Sequence, residues 1–202
     1  MYEFAMGDFI IIAVISYLLG SINSAILVSK LTLGYDIREK GSGNAGLTNA
    51  YRCMGAKRML VVLLGDILKS VIGMSVGKML IGPMGVLIAG AFTILGHNFP
   101  IYFHFKGGKG VLVGATMIAM FDWRIFAIVV VVFFATVGLT KWVSLGSILA
   151  AALFPVLTGI FYKDILLVVF TAAMALVVII MHRKNIVRII HGEENKFSLH
   201  RK

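Results

Sequence analysis

Seven stretches of the chain are apolar over a dozen or more consecutive positions, at roughly 4–28, 57–80, 84–104, 109–121, 124–139, 143–161 and 164–182. The runs are continuous and lack the two-residue alternation of a membrane barrel, so they predict helices rather than strands. About 20 apolar residues cross an untilted bilayer core. The stretches 109–121 and 124–139 fall short of that and are expected to tilt, to sit in a thinned region, or to form one re-entrant hairpin. The pattern therefore predicts an all-α, polytopic integral membrane helix bundle with about seven transmembrane helices, five as the fallback, in a single membrane domain over 1–202.

Composition agrees. Of 202 residues 59% are hydrophobic, and the mean hydropathy is +0.97. A soluble domain of this size has no means of hiding so much apolar surface from water. Cys53 is the sole cysteine, which excludes an internal disulfide, a CxxC pair and a zinc framework. The N-terminal MYEFAMGD carries Glu3 and Asp8 and no basic residue, so the first run is expected to be a retained helix rather than a cleaved signal.

The formal net charge is +10, and its placement sets an orientation. With the N-terminus outside, the inner face receives Lys30, Arg38, Lys40, Arg52, Lys57, Arg58, Lys106, Lys109, Lys141, Arg183, Lys184, Arg188, Lys196, Arg201 and Lys202. The outer face receives Lys78, Arg124 and Lys163, while Lys69 falls within a span. By the positive-inside rule this predicts N-out, C-in and an odd number of crossings. The polar segments 38–52, 104–110, 140–147 and 182–196 then all belong to the cytoplasmic side, where four loops of a small bundle are expected to build one site.

The first segment contains GSGNAGLTNAYR, residues 41–52. Glycines such as Gly43 permit positive φ and close approach of N–H groups to an anion. Ser42, Asn44, Thr48 and Asn49 add neutral polar groups, and Arg52 can grip a phosphate bidentately. The plain alternative is a flexible loop between helices, and glycine spacing alone does not decide between them. In GHNFPIYFHFKGGKG, 96–110, a glycine turn of Gly107, Gly108 and Gly110 lies between and beside Lys106 and Lys109 where a helix begins, a sound anion site. Val111 follows Gly110, so the run is not a nucleotide P-loop; a basic membrane-edge anchor is the alternative. His97 beside Asn98 and Pro100 reads better as a polar-stabilised kink than as a catalytic group.

TKWVSLGS, 140–147, offers Ser144 and Ser147 around Lys141 and Trp142, and taken alone is interfacial anchoring. HRKNIVRIIHGEENK, 182–196, reads as a basic helix on the membrane surface. That explains Arg183, Lys184 and Arg188 but leaves His182, Asn185 and Glu194 over. Asp66 and Lys69, three apart inside the second apolar run, are expected to pair and orient that helix rather than move protons.

In this order GSGNAGLTNAYR, GHNFPIYFHFKGGKG, KWVSLGSI and HRKNI…GEENK, with GSIN at 20–23 and DILK at 66–69, resemble the bacterial membrane glycerol-3-phosphate acyltransferase family that uses acyl phosphate as donor. The resemblance runs from about residue 20 to 196. Ala45 and Asn23 stand where that family usually has proline, and Glu193 where it usually has threonine. The resemblance implies attack of the 1-hydroxyl of sn-glycerol 3-phosphate on an acyl phosphate, giving lysophosphatidic acid and inorganic phosphate. By motif, Ser42 and Arg52 are the essential pair of the first loop, and Lys109 with the Gly107–Gly110 turn holds phosphate. Ser147, His182 and Asn185 complete the pocket, and Glu194 is mainly structural.

Residue chemistry fits that implication. Two phosphorylated reactants need cations and amides beside an apolar slot. Acyl phosphate is already activated; the one GxSxG string, GMSVG at 73–77, lies inside an apolar run and makes no recognisable nucleophile elbow, and no histidine has an aspartate five positions on. No cofactor, metal or nucleic acid is expected; membrane lipid is the surrounding partner, and a monomer suffices. The rival readings are a transporter for a phosphorylated metabolite, for which an internal repeat is missing, and a lipid-binding membrane scaffold.

Overall fold

A computed structural model describes residues 5–198; Glu3, Arg201 and Lys202, used above for the N-terminus and the charge bias, lie outside them. Among the described residues there are eight α-helices and no strand. Two compact units divide the chain, Met1–Phe121 and Asp122–Lys202.

In the first unit α1 (Met6–Ser21) and α2 (Ser24–Leu33) form one apolar stretch broken at Ile22 and Asn23, whose backbones are extended. Asn23 caps the restart, its Oδ1 accepting from the Ile26 N–H at 3.1 Å. The break frees carbonyls in an apolar setting, and the Lys69 ammonium donates to two of them, Gly20 O at 3.1 Å and Ile22 O at 2.7 Å. Lys69 is in turn paired with Asp66 at 2.9 Å, and Asp66 accepts from the Ser24 hydroxyl at 2.9 Å. The ion pair thus staples the second helical stretch across the broken first one, since its charges and the freed carbonyls satisfy each other where water is absent.

The next helix, α3 (Leu47–Asn98), folds back on itself: Ile81 and Gly82 leave helical geometry, Gly82 at φ 67°, and Pro83 starts the return limb. A Cβ on Gly77 would strike the backbone of Gly85, and one on Gly85 the backbone of Gly77, so the two limbs touch main chain to main chain. Gly20 and Gly96 do the same between α1 and the return limb, against Thr93 and Tyr17. After a 3-10 turn at Ile101–Phe103, α4 (Val111–Phe121) runs back beside that limb, with Met117 filling the notch left by Gly90 and Gly110 against Ile94.

The second unit holds α5 (Trp123–Thr140), α6 (Val143–Tyr162), α7 (Ile165–Met181) and α8 (Arg183–Ile190). Asp122 starts α5 by accepting from the Arg124 N–H at 2.8 Å, and Asp164 starts α7 through the Leu166 N–H at 2.9 Å. Leu64 and Met79 in the first unit and Val131, Leu139 and Val169 in the second are exposed apolar side chains, as expected where lipid is the solvent.

Among the described residues four stretches are long and apolar enough to cross a membrane: Met6–Leu33, Leu47–Phe103, Trp123–Thr140 and Val143–Tyr162; Ile165–Met181, bent by 62° from Arg183–Ile190, adds a fifth. The runs at 57–80 and 84–104 belong to the single 57-residue stretch that doubles back at Gly82. The run at 124–139 is a full 18-residue helix. By contrast α4, at 11 residues, reaches only about 16 Å, roughly half of a bilayer core.

Candidate active site

The 38–52 segment is braced rather than loose. Asn49, buried on the first turn of α3, donates its amide to the carbonyls of Asn44 at 3.0 Å, Lys40 at 3.1 Å and Ile37 at 3.3 Å. Its Oδ1 accepts from the Ser42 N–H at 2.9 Å. Ile37 and Ala45 are fully buried and join Ala25, Ile26, Ala50, Met54 and Val62 in an apolar cluster beneath the loop. Gly41 and Gly43 take φ of 60° and 72° to make the turn. Asn49 thus spends its side chain on the scaffold. Ser42 and Gly43 are left exposed, Asn44 and Thr48 half-buried.

Arg52 lies one turn beyond Asn49 and is exposed. Its guanidinium and the Ser42 hydroxyl have no hydrogen-bond or ion-pair partner among the described residues. Both are anchored through the same helical turn, because Asn49 holds the Ser42 backbone.

The 104–110 segment is brought to the first. Arg38 donates to Phe103 O at 2.9 Å and Lys106 O at 2.7 Å while its other nitrogens grip Asp36 at 2.9 and 2.7 Å. That guanidinium holds the Asp36 carboxyl well below the usual carboxylate range despite partial burial. Gly107 and Gly108 donate their N–H groups to the carbonyls of Asn98 and His97, each at 3.0 Å. These two amides are therefore committed to the main chain. The glycines are required by space: a Cβ on Gly108 would strike the His97 ring and come within 2.8 Å of Ala45 O. Beyond them Gly110, at φ 75°, leads into α4, whose first intrahelical bond is Gly114 N–H to Gly110 O at 2.8 Å. The α4 N-terminus and the charges of Lys106 and Lys109 are the anion-attracting features of this segment.

In the second unit, segments 140–147 and 182–196 are brought together around Glu194. Its Oε1 accepts from the Asn185 amide at 2.7 Å and the Ser144 hydroxyl at 3.0 Å, and its Oε2 from Arg188 Nε at 2.7 Å. The Phe197 N–H docks on Lys141 O at 2.7 Å. Burial pushes the Glu194 carboxyl up, but Arg188, Asn185 and Ser144 outweigh it and hold the group below its ordinary value. Ser147 turns its hydroxyl to Val143 O at 2.9 Å, within its own helix. His182, buried at the bend between α7 and α8, places Nδ1 2.8 Å from Val178 O. A carbonyl only accepts, so Nδ1 carries the hydrogen and Nε2 is the basic nitrogen.

Several structural partners escaped the sequence reading: Arg38, Arg188, Ser24 and Asn23. A signal existed for the first. Asp-x-Arg occurs as Asp36-Ile37-Arg38 and again as Asp122-Trp123-Arg124, and both carboxylates accept from the arginine's own N–H, at 3.0 and 2.8 Å, as well as from its side chain. Asn23 and Ala45, the two departures from the family's prolines, are joined by a hydrogen bond of 3.3 Å from the Asn23 amide to Ala45 O. Among the described residues no cluster of three or more His, Cys, Asp or Glu could hold a metal ion.

An all-helical integral membrane protein with polar loops of this kind matches known proteins throughout. The family model for glycerol-3-phosphate acyltransferase matches residues 10–192. The glycerol-3-phosphate acyltransferase of Bacillus subtilis (strain 168) is 41% identical over 186 residues, 92% of this chain and 96% of that one. That of Thermoanaerobacter sp. (strain X514) is 38% identical over 189 residues, 94% and 96% of the two chains. Among solved structures, PlsY (YgiH), an integral membrane glycerol 3-phosphate acyltransferase, in its glycerol 3-phosphate form superposes with a TM-score of 0.88 at 29% identity over 95% of this chain and 96% of that one. Its lysophosphatidic acid form gives 0.85 at 28% identity, with the same coverage. The chain belongs to the glycerol-3-phosphate acyltransferase family.

Proposed function

We propose that this chain moves a fatty acyl group from acyl phosphate to the 1-hydroxyl of sn-glycerol 3-phosphate, at the cytoplasmic face of the inner membrane. The hydroxyl oxygen bonds to the acyl carbon, the bond from that carbon to the phosphate oxygen breaks, and lysophosphatidic acid and inorganic phosphate leave. The observation that carries this reading is Arg52: an exposed, unpaired guanidinium near the start of α3, one turn beyond the Asn49 that braces the preceding loop, in a member of this family. A bidentate donor on a helix beside a braced loop suits a phosphate that must be held while its neighbour reacts.

Arg52 and Lys109 neutralise the phosphates, and Ser42 stabilises the charge that develops on the reacting acyl group or the departing phosphate. Asn185, oriented by Glu194, and His182 serve as polar contacts. The proton of the attacking hydroxyl passes to a substrate phosphate. A carbonyl orients His182 but, unlike a carboxylate, supplies no full charge to stabilise an imidazolium. The charge bias of the loops supports N-out, C-in.

Purified protein in detergent, given acyl phosphate and glycerol 3-phosphate, is expected to form lysophosphatidic acid. A transporter or a lipid-binding scaffold forms none. Replacing acyl phosphate with acyl-CoA is expected to abolish product, and undiminished product would overturn the donor assignment.

A further inference from the structure

On a helix of about 3.6 residues per turn, Arg183, Val187 and Ile190 of α8 share one side, Lys184 lies at its edge and Asn185 falls opposite. The Asn185 side is spent inside the second unit: with Arg188 it holds Glu194, each at 2.7 Å, and Glu194 in turn takes the Ser144 hydroxyl of α6 at 3.0 Å. The other side is open, with Val187 and Ile190 55% and 75% exposed and Arg183 and Lys184 exposed beside them. Among the described residues neither cation is paired with a carboxylate; Arg183 only reaches Ile180 O, at 3.4 Å. Once Arg188 and Glu194 have paired, Arg183, Lys184 and Lys196 stand against Glu193 alone as the exposed charges of segment 182–196. Eight residues do not hold a helix together in water, so α8 depends on what its two sides meet. It leaves α7 at a bend of 62°, and α7 carries exposed apolar Leu176 and Ile180 up to that bend.

We propose that the open side of α8 docks on anionic phospholipid headgroups of the inner leaflet, and that this docking steadies Asn185 and Glu194 and so sets the turnover. Apolar side chains set among basic ones suit the boundary between acyl chains and headgroups, where Val187 and Ile190 enter the acyl edge and Arg183 and Lys184 meet phosphates. Water alone leaves the apolar pair uncovered, and an apolar neighbour alone leaves two charges unmet. A zwitterionic headgroup brings its own cation to compete for the phosphate; an anionic one does not. Because the same short helix carries Asn185 on its inward side, whatever fixes the outward side also fixes the Asn185–Glu194–Ser144 chain. The effect on turnover rests on the acyl-transfer reading and the orientation given above, whereas the docking itself is independent of the reaction.

The full chain is placed in lipid nanodiscs of phosphatidylcholine, alone or with about 30% phosphatidylglycerol, and hydrogen exchange of peptides covering α8 is read beside turnover with both substrates saturating. Each basic residue near an anionic surface favours the docked form about fivefold, so two favour it about 30-fold, reduced towards 10-fold by Glu193. The α8 amides are expected to exchange about 10-fold more slowly in the anionic discs, with peptides from α1 unchanged, and kcat to rise about three- to tenfold. Salt at about 0.5 M is expected to erase both gains. An anionic surface also repels the substrates, which raises KM for every variant alike, so kcat is the quantity compared. Arg183→Gln combined with Lys184→Gln is expected to lose the lipid response and keep the turnover of the neutral discs; should that variant fail to fold, the salt comparison carries the same readout. The inference is overturned if α8 exchanges alike in the two discs, if the double variant keeps the response, or if α8 is protected while kcat stays the same. Inorganic phosphate added to neutral discs is expected to change nothing, and protection by it would assign the face to a free anion and overturn the lipid. If no lysophosphatidic acid forms in any disc, the reaction assignment falls by itself and the exchange comparison alone decides the docking.

Discussion

Asn49→Ala separates a brace from a ligand-binding residue. The substitution removes the acceptor of the Ser42 N–H at 2.9 Å and the donor to Asn44 O at 3.0 Å and Lys40 O at 3.1 Å. At about 1 kcal/mol net for each of three bonds, the braced form of the loop loses about 3 kcal/mol. That is roughly a 100-fold rise in the open population, since 1.4 kcal/mol is tenfold. Most helices stay folded because the loss is confined to residues 37–49, so hydrogen exchange read by mass spectrometry on peptides covering 38–52 is the suitable assay. The Ser42 amide is expected to exchange about 100-fold faster, with peptides from α6 unchanged. Activity falls through both KM values together, because Ser42 and Arg52 share the disturbed turn. Asn49→Asp is expected to be at least as damaging, as it sets a carboxylate against carbonyls. Exchange within about threefold of wild type, accompanied by a rise in one KM only, would refute the brace and return Asn49 to the role of ligand contact.

Arg52→Ala is expected to lower kcat/KM about 1,000-fold and Arg52→Lys about 100-fold, because an ammonium lacks the fork; turnover assays with lysophosphatidic acid detection check both. His182→Gln should retain far more activity than Arg52→Ala, and equal losses in the same assay would show that His182 takes the proton. Glu194→Ala is expected to destabilise the second unit by about 2 kcal/mol, moderated because Arg188 is partly exposed and water can replace its partner, as read by thermal melting. Its carboxyl is held below the unfolded value, so its contribution is whole above about pH 4.3, the unfolded pKa, and is lost as pH falls through the folded value. Glu194→Gln should flatten that acid-side part of the melting profile. Gly108→Ala forces a methyl into the His97 ring and is expected to cost about 1–3 kcal/mol in a melt, with no anion required for the effect.

The apolar pattern carried the all-helical membrane architecture, because in lipid every backbone polar group must be met within the segment itself. It did not carry the breaks. Ile22 and Asn23 sit within an otherwise apolar stretch, and their extended backbones depend on Lys69, far along the chain, to take the freed carbonyls. The runs 57–80 and 84–104 were separate in the pattern, but the reversal at Ile81–Gly82 and the contact of Gly77 with Gly85 show only in space. Side-chain direction was the largest gap. Asn49 and Asn44 look alike in a glycine-rich string, yet Asn49 turns inward to three carbonyls. Gly107 and Gly108 looked like an anion cradle, and their missing side chains in fact admit a carbonyl and an imidazole. Asp66 and Lys69 were legible as a pair, since three residues on a helix put them on one face.

The central claim is that a phosphate leaves as the acyl group arrives. Lysophosphatidic acid and inorganic phosphate counted in the same reaction of purified protein with glycerol 3-phosphate test it most directly. With acyl phosphate the account predicts one phosphate released for each lysophosphatidic acid formed, and with acyl-CoA neither product. Lysophosphatidic acid formed from acyl-CoA without phosphate, or phosphate released without lysophosphatidic acid, would contradict it.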